Sequence, residues 1–139
     1  MPQALTPAVG SPLLSTKLFL PRLRPGMVAR PQLAQLLDAA LTYPLTLVSA
    51  PAGFGKTTLV AAWAQQQPLP AGWLSLDAGD NDPNRFLAYL VAALQSADPA
   101  CGRELRAALQ GGQAPPIEAA VIMLINDLAQ LPHDVLLVL

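Results

Sequence analysis

Sulfur, charge and aromatic rings are all scarce in this chain of 139 residues, which has one cysteine, 12% charged residues and 5% aromatics. The lone Cys101 excludes an intrachain disulfide and a cysteine metal cluster, which suits a reducing compartment and makes it a small apolar filler. His133 is the only histidine and has no cysteine near it, which excludes a histidine metal site and a catalytic dyad. Eight Lys and Arg without a basic stripe exclude duplex nucleic acid as a direct partner of this segment. No apolar run approaches the roughly 18 residues of a membrane span. The longest are "AAVIMLI" and the terminal "VLLVL", and the opening "MPQALTPAVGSPLLS" lacks the basic start of a secretion signal. The expectation is a cytoplasmic chain with no membrane partner.

What is present argues for a packed core. The hydrophobic content is 53%, far above that of a disordered segment. The few charges are unevenly placed: through Lys56 there are five basic residues against one acid, a net +4, and the remainder carries three against eight, a net −5. Residues 1–14 hold three prolines and no charge and read as a poorly ordered lead-in. Residues 15–44 read as an arm, "STKLFLPRLRPGMVARPQL", running into a helix that Pro31 opens. Residues 45–139 read as the core, beginning with Leu45–Ser49 as a short buried strand and continuing through the helix "KTTLVAAWAQQQ".

A second strand is expected at "GWLSL", then a helix with Asp82 as N-cap and Pro83 in its first turn. Its buried stripe is expected at Phe86, Leu87, Leu90, Val91 and Leu94. A short helix should cover "RELRAALQ", and a longer one should bury Ile117, Val121, Leu124, Ile125, Leu128 and Leu131. "VLLVL" has no polar alternation and reads as a strand buried on both faces. Strands alternating with helices imply an α/β fold with a parallel sheet.

Between the first strand and its helix lies "SAPAGFGKTT", which fits the phosphate-loop pattern [AG]-x-x-x-x-G-K-[ST] with Ala50, Gly55, Lys56 and Thr57. A match arises by chance in about one chain in a hundred of this length. Gly53 and Gly55 let the backbone curl so that N–H groups point inward at phosphate oxygens, and the helix start adds its dipole. The nucleotide-binding candidates are Ala52, Gly53, Phe54, Gly55, Lys56, Thr57 and Thr58, with Lys56 on the β- and γ-phosphates and the Thr57 hydroxyl on Mg²⁺. The implied ligands are ATP or ADP with Mg²⁺. Asp77, at the carboxyl end of a strand, is open to a role around the magnesium or, with Asp80 and Asp82, to loop and cap duty. Arg85 is open to action on phosphate in trans or to plain solvation.

Taken together, "LSTKLFLPRLRPGMVARPQL", "LVSAPAGFGKTTLVAAWA", "GWLSLDAGDNDPNRFLAYLVAALQ" and "VLLVL" resemble the N-terminal ATPase segment of the large LuxR-type transcription activators related to the maltose-regulon activator, which are STAND-class signalling ATPases. The resemblance runs from about Leu14 to Leu139. It implies the N-terminal half of a P-loop NTPase three-layer fold, truncated before the acidic pair that handles Mg²⁺ and water. It also implies that Val28 and Arg30 lie near the adenine, against the plainer reading of Arg30 as a surface residue ahead of a helix.

The resemblance further implies that a winged helix, a helical-repeat sensor and a DNA-binding helix-turn-helix follow, that the full-length protein is a slow ATPase, and that it has the capacity for nucleotide-dependent self-association. The expected function is therefore an ATP-binding switch segment of a transcriptional regulator, with no catalytic residue of its own. The alternatives are a P-loop phosphotransferase acting on a small molecule, or an inactive fragment. A further strand separates Leu45–Ser49 from "VLLVL" in such ATPases, so the chain alone is expected to keep a gap in its sheet or to close it directly, to fold poorly and not to hydrolyse ATP.

Overall fold

The computed structural model describes residues 12–139, and most of the expected lead-in over 1–14 lies outside them. The chain divides into two compact units: Leu20–Pro68, and Leu69–Leu139 joined by the segment that ends at Phe19.

In the first unit, Pro31 sits in the opening turn of α1 (Pro31–Ala40), and the left-handed Gly55 precedes α2 (Lys56–Gln66). The two helices are tied by Asp38, whose Oδ1 accepts from Trp63 Nε1 at 2.7 Å and from Gln67 Nε2 at 3.1 Å. The indole N–H is thereby satisfied although Trp63 is buried.

Leu45–Ser49 is not a strand. It is extended and has no strand partner among the described residues, and Leu45 and Leu47 are 85% and 87% exposed. An apolar run becomes a strand only when a neighbour takes its N–H and C=O groups, and among the described residues the sheet contains β1 (Ala71–Trp73) and β2 (Leu136–Val138) alone.

In the second unit, β1 and β2 run parallel with Ala71 opposite Leu136, Gly72 opposite Leu137 and Trp73 opposite Val138. Parallel strands need a long crossover, here made of α3 (Pro83–Ala97), α4 (Arg103–Gln110) and α5 (Ile117–Ala129). Asp82 is the N-cap of α3, as expected, its Oδ1 accepting from the Arg85 amide at 2.8 Å. Helix α3 is buried on two sides. Leu87, Val91 and Leu94 pack with Cys101, Leu105, Leu109, Ala120 and Leu124, while Tyr89 and Ala93 pack with Leu74.

The expected stripe of α3 is thus correct at Leu87, Val91 and Leu94, leaves Phe86 and Leu90 half-buried, and omits Tyr89 and Ala93. On α5 the expected face is rotated. Ala120 and Leu124 are buried, Leu128 and Leu131 are half-buried, and Ile117, Val121 and Ile125 are exposed. Strand β2 is half-buried rather than covered on both faces, because its partner is a single neighbouring strand. The outcome is a mixed α/β architecture with a small parallel sheet, the coarse class that the alternation of elements implies.

Strand β1 and α3 approach each other closely at Gly72. A Cβ added at Gly72 would stand 2.3 Å from the carbonyl oxygen of Ala93, so only glycine lets the helix lie this near the strand. Gly72→Ala is expected to lower the stability of the unit by about 1–3 kcal/mol. Thermal unfolding measures this, and an unchanged midpoint would mean that α3 can slide away at no cost.

Candidate functional site

The loop from Pro51 to Gly55 leads into α2 with both glycines in the left-handed region, Gly53 at φ +84° and Gly55 at φ +80°. Neither would meet another atom through an added Cβ, so glycine is required by the backbone angle and not by space. No side chain caps α2, and its first amide groups are left for a ligand or water.

Lys56 folds back over the loop: its Nζ donates to the carbonyl of Ala50 at 2.5 Å and to that of Pro51 at 3.2 Å. The ammonium therefore rests on neutral acceptors from which an anion can draw it. Ala52, Gly53, Phe54, Thr57 and Thr58 are exposed along the loop and the first turn of α2.

Arg30 reaches the same loop, its Nη1 donating to the Phe54 carbonyl at 3.4 Å. Val28 stands 80% exposed on the arm. A cavity of about 270 Å³ lies beside Thr58, walled by Pro21, Arg22, Leu23, Arg24 and Met27 of the arm. None of these five was singled out from the sequence, although "PRLRPGM" already carried two of the few arginines. From Leu20 to Pro68 the basic residues are Arg22, Arg24, Arg30 and Lys56 and the only acid is Asp38, a net +3. Asp38 is occupied by Trp63 and Gln67. Such a surface favours a multiply charged anion.

The acids around Asp77 belong to a different construction, in the other unit. Asp77 and Asp80 form a capping box on a short 3-10 helix, Ala78–Asn81, with Asp77 Oδ1 accepting from the Gly79 amide at 2.7 Å and Asp80 Oδ2 from the Asp77 amide at 2.8 Å. Both also receive Lys17, at 2.9 Å to Asp77 Oδ2 and 2.5 Å to Asp80 Oδ2. Lys17 is 6% exposed and its Nζ lies 4.5 Å from the centre of the Tyr89 ring.

Lys17 was missed in the sequence because its partners lie 60 and 63 residues away. The only signal was a lysine inside the apolar stretch "KLFLP". Arg85 stands 3.8 Å from Asp77 Oδ1 and 3.7 Å from Asp80 Oδ1, and its amide serves Asp82. Among the described residues no cluster of three or more His, Cys, Asp or Glu could hold a metal. Cys101 is buried, and burial pushes its thiol above the ordinary range.

The chain is similar over 127 residues, 91% of its length, to the HTH-type transcriptional regulator MalT of Cronobacter sakazakii at 37% identity. Over 85 residues, 61% of its length, it is 48% identical to the MalT regulator of Yersinia enterocolitica and 49% identical to that of Serratia proteamaculans. The chain is thus a homologue of the MalT-type transcriptional regulators, as the resemblance in its sequence implied. It spans 14% of the length of the first of these relatives and 9% of the other two. No family model matches. Among the described residues no helix is long and apolar enough to cross a membrane.

The Lys17 cluster has a pH signature. Bonds from Lys17 hold the Asp77 carboxyl below the usual range. Burial pushes Asp80 up, but the bonds from Lys17 and the Asp77 amide outweigh it and leave Asp80 low. Burial pushes Lys17 down, and the bonds from Asp80 and Asp77 outweigh it and leave Lys17 above its ordinary 10.5.

The stability that the cluster contributes is therefore complete at neutral pH. It is lost as the pH falls below about 4 through the lowered carboxylates. At the alkaline end it is lost as the pH rises through the raised lysine. Lys17→Met leaves Asp80 buried without its cation, so the variant is expected to be less stable at neutral pH and to recover as acid protonates Asp80. Urea unfolding from about pH 3 to 8 reads the sign; the same acid limb in both proteins would mean that Asp80 does not depend on Lys17.

Proposed function

We propose that this chain is the nucleotide-binding segment of a signal-responsive transcriptional regulator of the STAND class, built as part of a P-loop NTPase and working in the cytoplasm. The observation that carries the reading is the glycine loop. It is left-handed at Gly53 and Gly55, leads into an uncapped helix, and lies in a unit of net charge +3.

These residues fit a nucleoside triphosphate with Mg²⁺. The loop has room for phosphate where a Cβ would point, Lys56 rests on exchangeable acceptors, and the Thr57 hydroxyl is exposed at the first turn of α2. Ala52 to Thr58 would hold the phosphates, Thr57 the metal, and Arg30 with Val28 the base side of the ligand, Arg30 already bonded to the loop. When bound, the metal would neutralise phosphate charge. The chain's own part is to bind and orient, and no residue here is assigned a catalytic role.

The nucleotide would hold the segment in one of two states for distant sensor and DNA-binding modules to read. Its relatives are named as HTH-type transcriptional regulators, which supports this role over a small-molecule phosphotransferase.

Lys56→Ala removes a charge-assisted bond to phosphate worth about 1.5–3 kcal/mol, and ATP affinity is expected to fall about ten- to a hundred-fold. Calorimetric titration measures it, and equal binding by mutant and wild type would overturn the assignment. Arg30→Ala is expected to weaken ATP and ADP alike, since both carry the same base, whereas Lys56→Ala should weaken ATP more. Parallel titrations that spare both nucleotides in Arg30→Ala would return Arg30 to the solvent.

A further inference from the structure

The unit that contains the sheet carries eight acids and four cations, Lys17, Arg85, Arg103 and Arg106, a net −4. Lys17 and Arg85 stand beside Asp77 and Asp80, but among the described residues neither Arg103 nor Arg106 pairs with a carboxylate. The acids that flank the start of α4 are engaged elsewhere. Asp98 accepts from the Ala100 amide at 2.8 Å and faces His133 Nε2 at 3.3 Å, and Asp127 accepts from the Gly102 amide at 2.7 Å.

The two arginines are nevertheless held in place. Arg103 Nε donates to the Pro99 carbonyl at 3.0 Å, and Arg106 Nη1 donates to Gln95 Oε1 at 2.5 Å. Three residues apart on α4, they share one face of the helix. The helix itself is fixed by the buried Leu105 and Leu109 and by Gly102, left-handed at φ +63°, where an added Cβ would stand 2.9 Å from Val91 Cγ1.

Both guanidinium groups line an open cavity of about 410 Å³, together with Gln95, Pro99, Ala107 and Gln110, and no acid is among its walls. A volume of that order suits a small molecule. A guanidinium has five N–H donors, and each of these uses one, so most of the donors have no acceptor among the described residues. Gln95 spends its carbonyl on Arg106, which leaves its NH₂ as a further donor, and the Pro99 carbonyl is taken by Arg103. A lining rich in donors, with its acceptors already occupied, selects a ligand that only accepts.

We propose that the cavity between the end of α3 and α4 is a binding site for a small molecule bearing an oxyanion, phosphate or carboxylate, received by the forks of Arg103 and Arg106. The site lies wholly within one unit and does not depend on the reading of the glycine loop. Because the unit as a whole is acidic, its long-range field does not draw anions, and recognition comes from contact: a planar fork meets two oxygens at once, which a lysine cannot do.

NMR of the isotope-labelled chain, which reads the arginine Nε–H signals one by one, tests this. Inorganic phosphate, and separately citrate, each compared with sodium chloride at matched ionic strength, is expected to move the Arg103 and Arg106 signals along saturating curves that chloride does not reproduce. The probe that binds more tightly tells a phosphate preference from a carboxylate one. Arg106→Gln and Arg103→Lys are each expected to weaken binding about ten-fold, with the Leu105 and Leu109 amide signals in place to show that α4 is folded. Movement confined to Arg22, Arg24 and Arg30 would put the anion on the other unit and overturn the inference, as would shifts that chloride matches. Unaltered affinity at Arg103 in the folded Arg106→Gln chain would overturn it as well.

Discussion

The second unit is organised around α3, and α3 is referred to the sheet through one close approach, the passage of Gly72 beneath the Ala93 carbonyl. Because the helix lies so near, its opposite sides can both be buried. Tyr89 and Ala93 face Leu74, and Leu87, Val91 and Leu94 face α4 and α5. A helix held further out would leave a gap in the first cluster that no side chain present could fill, since packed interiors do not tolerate voids of that kind. The 3-10 helix before α3 and the Lys17 clamp inherit their positions from this contact, because Tyr89 is on the same helix and receives both Leu14 and Lys17.

The first unit is governed by charge rather than by packing. With two helices and one buried tryptophan it has little core, and its acid is consumed within the fold by Trp63 and Gln67. Among the described residues the four cations have no charged partner: Lys56 rests on Ala50 and Pro51, Arg30 on Phe54, and Arg22 and Arg24 line the cavity. Carbonyl oxygens are weaker acceptors than phosphate oxygens, so an anion could draw these cations from their present partners.

Local chemistry was legible and non-local pairing was not. Pro31, Asp82 with Pro83, and the glycines around α2 announce helix starts because the cause lies within a few residues, and all appear where expected. The left-handed backbone at Gly53 and Gly55 was readable for the same reason. Leu45–Ser49 has the composition of a strand, but strand formation is a property of two segments, and no second segment lies along it among the described residues. On α5, apolar residues at 117, 121, 122, 124, 125 and 128 surround most of the helix, so periodicity could not choose the face that α3 and α4 would cover. Lys17 and Tyr89 were invisible because the worth of each depends on groups from distant parts of the chain.

The unit that contains the sheet is discontinuous, its first strip ending at Phe19 and the rest beginning at Leu69. This makes the Lys17 clamp a matter of timing during synthesis. The lysine is made 60 residues before Asp77 and 63 before Asp80, an interval of about 3–12 s at ordinary elongation rates. Through that interval its ammonium is an ordinary hydrated ion, and the helices of Leu20–Pro68 have time to form without it. The burial of Lys17 is thus a late event, and the two units can fold in the order in which their last residues are made.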